Sequence, residues 1–307
     1  MPAGRSREVV PFVSQAASRR QRPHQIPPDL LPFLLNPDEC HTWIPENRIL
    51  PCPIPALDWV TGIGGLPRGH VVEILGPENS GKTTLALLIA AKAQASGATV
   101  AIIDAARQLD WQYAFTLGIV GEELLVSQPS HAEQAFGMAT ALAVSGVDLV
   151  IVDFVSALVS DGELNPGAIA YPSGSTALAL LRSLQRQRRW LWKSDCCLLF
   201  LDQIRDRNLY PDGTPELTVN TRTLEPFSSI RLDLRNVNTQ REWRYGSHRE
   251  EARMIRENEV SSVRIRVSAP KNRIGNIGRS TEVTINTQTG QLQEHCECRF
   301  DPEERRG

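Results

Sequence analysis

Nine consecutive residues, Gly76-Pro77-Glu78-Asn79-Ser80-Gly81-Lys82-Thr83-Thr84, carry the most legible chemistry in the chain. They fit G-x-x-x-x-G-K-[ST], the spacing of a loop that cradles phosphate groups in nucleotide hydrolases. Gly76 and Gly81 let the backbone turn its N–H groups inward as an anion nest. A helix starting behind the loop adds unpaired donors and a favourable dipole. Lys82 then reaches the outer phosphates, and the Thr83 hydroxyl ligates Mg²⁺. A second set of residues completes such a site. Val147-Asp148-Leu149-Val150-Ile151-Val152-Asp153 is an apolar run ending in a carboxylate that can hold Mg²⁺ through water. Asp104 ends the preceding apolar run in the same way. Gln203 follows another, and its residue type fits either a sensor of the terminal phosphate or a plain strand-end polar group.

Positioning these groups requires strands ahead of them and helices behind. Val71–Leu75, Thr99–Asp104, Leu124–Val126, Asp148–Asp153 and Cys196–Asp202 read as strands. Thr84–Ser96, Trp111–Leu117, His131–Ser145 and Gly174–Lys193 read as helices between them. Near-continuous apolar strands alternating with helices predict an α/β fold with a mostly parallel central sheet, flanked by helices on both faces. Beyond residue 226 the pattern changes. Ser228–Arg235, Ser261–Ala269 and Thr281–Asn286 alternate apolar and polar, which predicts antiparallel strands at one sheet edge. Residues 1–47, rich in Pro, Arg, Gln and Ser, read as a flexible arm with a short apolar anchor at Leu30–Leu35. The division expected is an arm over 1–53, a core over 54–290 and a tail over 291–307. Arg241–Glu259 reads as an exposed loop or short helix.

Composition narrows the class. The 307 residues are 41% hydrophobic and 22% charged, with a formal net charge of −2 at pH 7. That balance suits a soluble globular protein, and any nucleic-acid binding must come from a local patch or from assembly of several copies. No apolar run is long enough to span a bilayer, and no signal peptide is evident. A reducing, cytoplasmic setting is therefore expected, with no membrane partner. Cys196 and Cys197 sit within an apolar strand and read as buried small hydrophobes. Cys40, His41, Cys52, Cys296 and Cys298 match none of the usual zinc spacings.

These residues together resemble the bacterial RecA recombinase family from about Ile54 to about Gly290. The resemblance is carried by Gly62-Ile63-Gly64-Gly65-Leu66-Pro67-Arg68-Gly69, the loop Gly76–Thr84, Ile103-Asp104-Ala105, Leu109-Asp110, Ser127-Gln128-Pro129 and Val152-Asp153. Asp202-Gln203-Ile204-Arg205, Ile230-Arg231-Leu232-Asp233-Leu234-Arg235 and Lys271-Asn272-Arg273 extend it. The resemblance implies a RecA-type phosphate-loop ATPase core that uses ATP and Mg²⁺, bridges ATP between copies in a helical filament, and binds single-stranded DNA along the filament axis. It gives Lys82, Asp153 and Gln203 the catalytic roles and Thr83 and Asp153 the metal. It gives Asp110 and Tyr113 the adenine, and Lys271 and Arg273 the reach to the neighbour's ATP. A first DNA-binding loop would lie near Gly162–Tyr171. A second, near Arg205–Arg222, would offer Arg205, Arg207, Tyr210 and Arg222.

Three departures bear on activity. The family's catalytic glutamate follows Ile-Asp-Ala, and here that position is Ala106. The family's second DNA loop has a Gly-Gly pair, whereas Thr218–Phe227 has no glycine and carries Pro226. The family's N-terminal polymerisation helix is not recognisable in 1–47, and its C-terminal domain is not matched. Two functions are therefore expected. One is a recombination and repair ATPase that forms ATP-gated filaments with weak hydrolysis. The other is a non-hydrolysing paralogue, similar to ImuA-like proteins, that serves the SOS response or a translesion polymerase.

Overall fold

The computed structural model describes residues 44, 46–164, 175–204, 219–237, 262–286 and 288–295. Nine strands form its main sheet, and each owes its place to burial. The central strands β3 (Val71–Gly76), β4 (Val100–Asp104), β6 (Leu149–Asp153) and β7 (Cys197–Gln203) are apolar on both faces. Successive side chains of a strand point to opposite faces. Ile74, Ile151 and Leu199 accordingly enter one core with Leu85 and Ile89 of α2 (Lys82–Ala95). Val71, Val150 and Leu198 enter the other, with Phe136 of α4 (Ala132–Val144) and Leu180 of α6 (Ser175–Leu191). A sheet covered on both faces needs such strands.

The remaining strands of that sheet are β5 (Leu124–Ser127), β8 (Ser228–Asn236), β9 (Ser262–Asn272), β10 (Ser280–Asn286) and β11 (Leu292–His295). Their order is β11-β10-β9-β8-β3-β7-β6-β4-β5. Pairing is parallel from β8 to β5 and antiparallel from β8 to β11. The reversal therefore falls after β8. Its alternating pattern led to an antiparallel expectation at Ser228–Arg235, yet it pairs parallel with β3 and antiparallel only with β9. Alternation reports partial cover of one face; it does not report direction.

Smaller elements fell below the sequence signal. A two-residue pairing joins β1 (Ile49–Leu50) to β2 (Leu66–Pro67). Leu50 and Cys52 are buried with the first core, so packing begins upstream of residue 54. The helix α1 (Pro55–Thr61) starts at a proline and ends at Gly62, whose φ of 74° is left-handed. Asn272 fastens it, donating from Nδ2 to the Thr61 carbonyl at 2.7 Å. Three short helices, α3 (Trp111–Thr116), α5 (Asp161–Leu164) and α7 (Val219–Leu224), complete the described elements used below. Among the described residues no helix is long and apolar enough to cross a membrane.

Candidate nucleotide site

The phosphate loop leaves β3 at Gly76 and enters α2 at Lys82. Gly81 caps the helix with a φ of 83°, as a left-handed turn requires. Gly76 serves a different purpose from the one its motif position first indicates. It is absent from the positive-φ residues, and Asn79 supplies the second left-handed position at 59°. A side chain at Gly76 would meet the Leu234 carbonyl and Ser80 Oγ, both 2.5 Å from its Cβ. The glycine makes room where β8 and the loop converge.

Lys82 is 9% exposed and folds back along the loop. Its ammonium donates to the Pro77 carbonyl at 2.7 Å and the Gly76 carbonyl at 3.1 Å, with Ser80 Oγ at 3.5 Å. Burial pulls its pKa down to about 8, against the attraction of Asp153, Asp202 and Glu78. Asp153 ends β6 directly opposite Asp104 of β4. Burial pushes its pKa up to about 6, while the hydrogen-bonding Thr83 hydroxyl works the other way. Its Oδ1 is buried without a hydrogen-bond partner. A buried, unpartnered carboxylate oxygen is costly. Beside a threonine hydroxyl it has the donor chemistry of a Mg²⁺ ligand, so the residues present fit that ion. Among the described residues no cluster of three or more His, Cys, Asp or Glu side chains could hold a metal. Mg²⁺ bound with nucleotide needs no such cluster, because phosphates and water fill most of its shell. Cys52 is a buried free thiol, and Cys40, His41, Cys296 and Cys298 lie outside the described residues.

The structure brings most of the expected residues together. Gln203 pairs with Gly76 across β7 and β3, and the Ile204 N–H donates to the Gly76 carbonyl at 3.1 Å. The strand end that would sense a terminal phosphate is thus fastened to the start of the loop. Asp110 caps α3, its Oδ1 accepting from the Tyr113 N–H at 3.0 Å. The Tyr113 hydroxyl lies 3.2 Å from Thr84 Oγ1, which sets its ring beside the loop. Pro77, Glu78 and Asn79 line the loop's outer side, the last two exposed.

Lys271 and Arg273 fall elsewhere. Lys271 pairs with Arg231 of β8, which in turn pairs with Glu73, three residues before Gly76. Two strand spacings, roughly 10 Å, separate it from β3. Arg222 is exposed on α7, whereas Arg205, Arg207 and Tyr210 lie outside the described residues, as does most of the expected first DNA loop.

Ala106 follows β4 and its N–H approaches the Asp153 carbonyl at 3.4 Å, which sets its backbone beside the end of β6. Both neighbouring carboxylates make local hydrogen bonds of their own. Asp104 accepts from the Gln108 and Leu109 N–H groups at 3.0 and 3.3 Å and from Gln128 Nε2 at 2.9 Å. Asp110 is exposed and holds the α3 cap through Oδ1. Two contributors escaped the sequence reading. Gln128 lies within a quoted anchor, yet only the fold shows it bracing Asp104. Glu73 announced itself as a lone carboxylate inside an apolar run; it is fully buried against Arg231.

This arrangement sets a phosphate-loop motif between a strand and a helix, facing a carboxylate at a sheet end. The family model of the RecA N-terminal domain matches residues 48–290. The chain belongs to the RecA family. It is 41% identical over 195 residues to Protein RecA of Geobacter sulfurreducens, covering 63% of this chain and 58% of the relative. Against Protein RecA of Citrifermentans bemidjiense it is 35% identical, covering 79% of this chain and 68% of the relative. The chain thus spans under two thirds of the length of several relatives it matches, 59% for that of Nitratidesulfovibrio vulgaris. A crystal structure of the RadB recombinase shares the fold with a TM-score of 0.53 at 19% identity, covering 78% of this chain and 96% of that one.

Proposed function

We propose that this chain is a RecA-like protein of recombination and DNA repair that binds Mg-ATP, assembles with ATP between copies on single-stranded DNA, and hydrolyses ATP weakly. The observation that carries this reading is the pairing of an intact phosphate and Mg²⁺ face with Ala106 at the water-activating position. Lys82, Thr83 and the unpartnered Oδ1 of Asp153 supply the face. Bound Mg²⁺ would neutralise charge on the phosphate oxygens. The chain's own residues hold the nucleotide through Gly76–Thr84, seat its base at Asp110 and Tyr113, and present Gln203 toward the outer phosphate. An alanine neither orients nor deprotonates water, and both oxygens of Asp104 are engaged with Gln108, Leu109 and Gln128. Assembly survives that loss, because ATP bound between two copies stabilises their interface without being split. The core of this proposal runs from β1 to β11, wider at both ends than 54–290, with the arm and tail beyond it.

Ala106 also supports a second reading, a non-hydrolysing accessory of SOS or translesion synthesis. One experiment separates the two and tests both. ATP turnover is measured with and without single-stranded DNA, alongside filament imaging with a slowly hydrolysed analogue. A positioned general base contributes about 10²–10⁴-fold. Turnover is therefore expected at least tenfold higher in Ala106→Glu than in the parent, with DNA-borne filaments in both. Brisk turnover in the parent would overturn the weak-hydrolysis reading. Filaments without any turnover would favour the accessory one. Retained ATP binding in Lys82→Ala would remove the nucleotide assignment itself.

A further inference from the structure

One rung of the main sheet carries three charges in a row: Glu73 of β3, Arg231 of β8 and Lys271 of β9. Like charges directly opposite one another are unfavourable, so Arg231 beside Lys271 needs compensation. Glu73 supplies the inner part. It is 0% exposed, with Arg231 Nε 2.7 Å from Oε2 and Nη2 donating to Oε1 at 3.3 Å. The closer contact lacks in-line hydrogen-bond geometry and acts as an ion pair. Removing either partner would strand a buried charge, which fixes Arg231 in place.

Glu225 supplies the outer part twice over. Its half-exposed carboxylate lies 3.4 Å from Arg231 Nη1, and its backbone carbonyl accepts from the Lys271 ammonium. That carbonyl also accepts from Ser228 Oγ at 3.2 Å, so it keeps a partner if the lysine leaves. Lys271 is under pressure to leave. Burial and then Arg273 push its pKa down, Arg231 adds to them, and Glu225 and Glu73 oppose them. Glu225 directly follows α7, whose last residue, Leu224, is fully buried.

We propose that Glu225 is a positioning residue that parks Lys271 in the lone copy and thereby sets the ATP concentration at which Lys271 moves to a triphosphate held by the next copy. This rests on the reading of Lys271 as a contact between copies. The Glu225 carboxylate favours the parked ammonium. Without it, Glu73 is left to balance Arg231, Lys271 and Arg273, and an incoming phosphate relieves the excess positive charge. The carbonyl given up by Lys271 stays bonded to Ser228, so release leaves no bare acceptor.

The test is ATP-dependent assembly of the full chain, followed by light scattering across a titration of Mg-ATP. The parent, Glu225→Gln, Lys271→Ala and the double variant are compared, with each variant's nucleotide affinity measured separately below the assembly concentration. Glu225→Gln is expected to assemble at an ATP concentration about threefold to tenfold lower than the parent, beyond any change in that affinity. The double variant is expected to behave as Lys271→Ala does, which a merely structural role for Glu225 would not produce. An unchanged or raised ATP requirement in Glu225→Gln, with Lys271→Ala failing to assemble, would overturn the inference and leave the contact between copies standing. Assembly of Lys271→Ala at the parent's ATP concentration would remove that contact and the inference together.

Discussion

Lys82 and Asp153 place opposite charges in a buried site, and burial pushes each toward neutrality. For Asp153 the folded pKa rises from 3.8 to about 6, and for the buried Glu73 from 4.5 to about 7. A raised carboxylate pKa means that its contribution to stability is fully present below the unfolded value and lost as pH rises through the folded one. For Lys82 the folded pKa falls from 10.5 to about 8. Its burial therefore costs stability in full below about pH 8, and the cost lifts as pH rises toward 10.5. The site is thus most unfavourable to the fold near pH 7–8. Lys82→Met, which fills similar space without charge, is expected to stabilise the nucleotide-free protein by about 1 kcal/mol at pH 7, about 2 °C in thermal midpoint. The gain should shrink by pH 10, while ATP binding is lost. Thermal melts across pH check this; a lower midpoint at pH 7 would show that the Gly76 and Pro77 carbonyls compensate the ammonium fully.

At the scale of elements, the strand–loop–helix unit of β3 and α2 was legible because its motif and its apolar flanks agree. The role of Gly76 within it was not, since the space it leaves belongs to β8. Gly76→Ala is expected to destabilise the protein by about 2 kcal/mol or more, because a Cβ would lie 2.5 Å from both the Leu234 carbonyl and Ser80 Oγ. Gly64→Ala offers a contrast. Its Cβ would meet nothing within 4 Å, leaving only the strain of a φ of 85°, about 1 kcal/mol. Urea unfolding of both variants measures the difference; equal losses would show that backbone conformation alone governs Gly76. The direction of β8 was illegible for a related reason. A strand's sequence records how its faces are covered, and partner direction depends on where the chain returns.

Across the whole molecule, the register that sets Lys271 on the rung of Glu73 keeps it away from the loop of its own copy. On the proposed function that cation serves nucleotide bridging between copies, and hydrolysis is not needed for it. Filaments formed with ATP are therefore expected to persist for as long as those formed with a slowly hydrolysed analogue, and Arg273→Ala is expected to raise the ATP concentration that assembly needs. Time-resolved imaging measures persistence. Rapid disassembly in ATP alone would show that the site turns over despite Ala106.

The sequence by itself determined the phosphate-loop motif, the strand-end carboxylate, the two-faced sheet and the family, because each is written in contiguous residues whose spacing matches a local geometry. It also determined the missing glutamate, since Ala106 is a matter of residue type. Only the tertiary structure showed what the neighbouring carboxylates do: Asp104 accepts from the Gln108 and Leu109 N–H groups and from Gln128, and Asp110 caps α3 through Oδ1. Only it joined Glu73, Arg231, Glu225 and Lys271, which lie up to 198 positions apart in sequence. Charge compensation acts through space over a few ångströms, and which residues share that space is fixed by strand order and register.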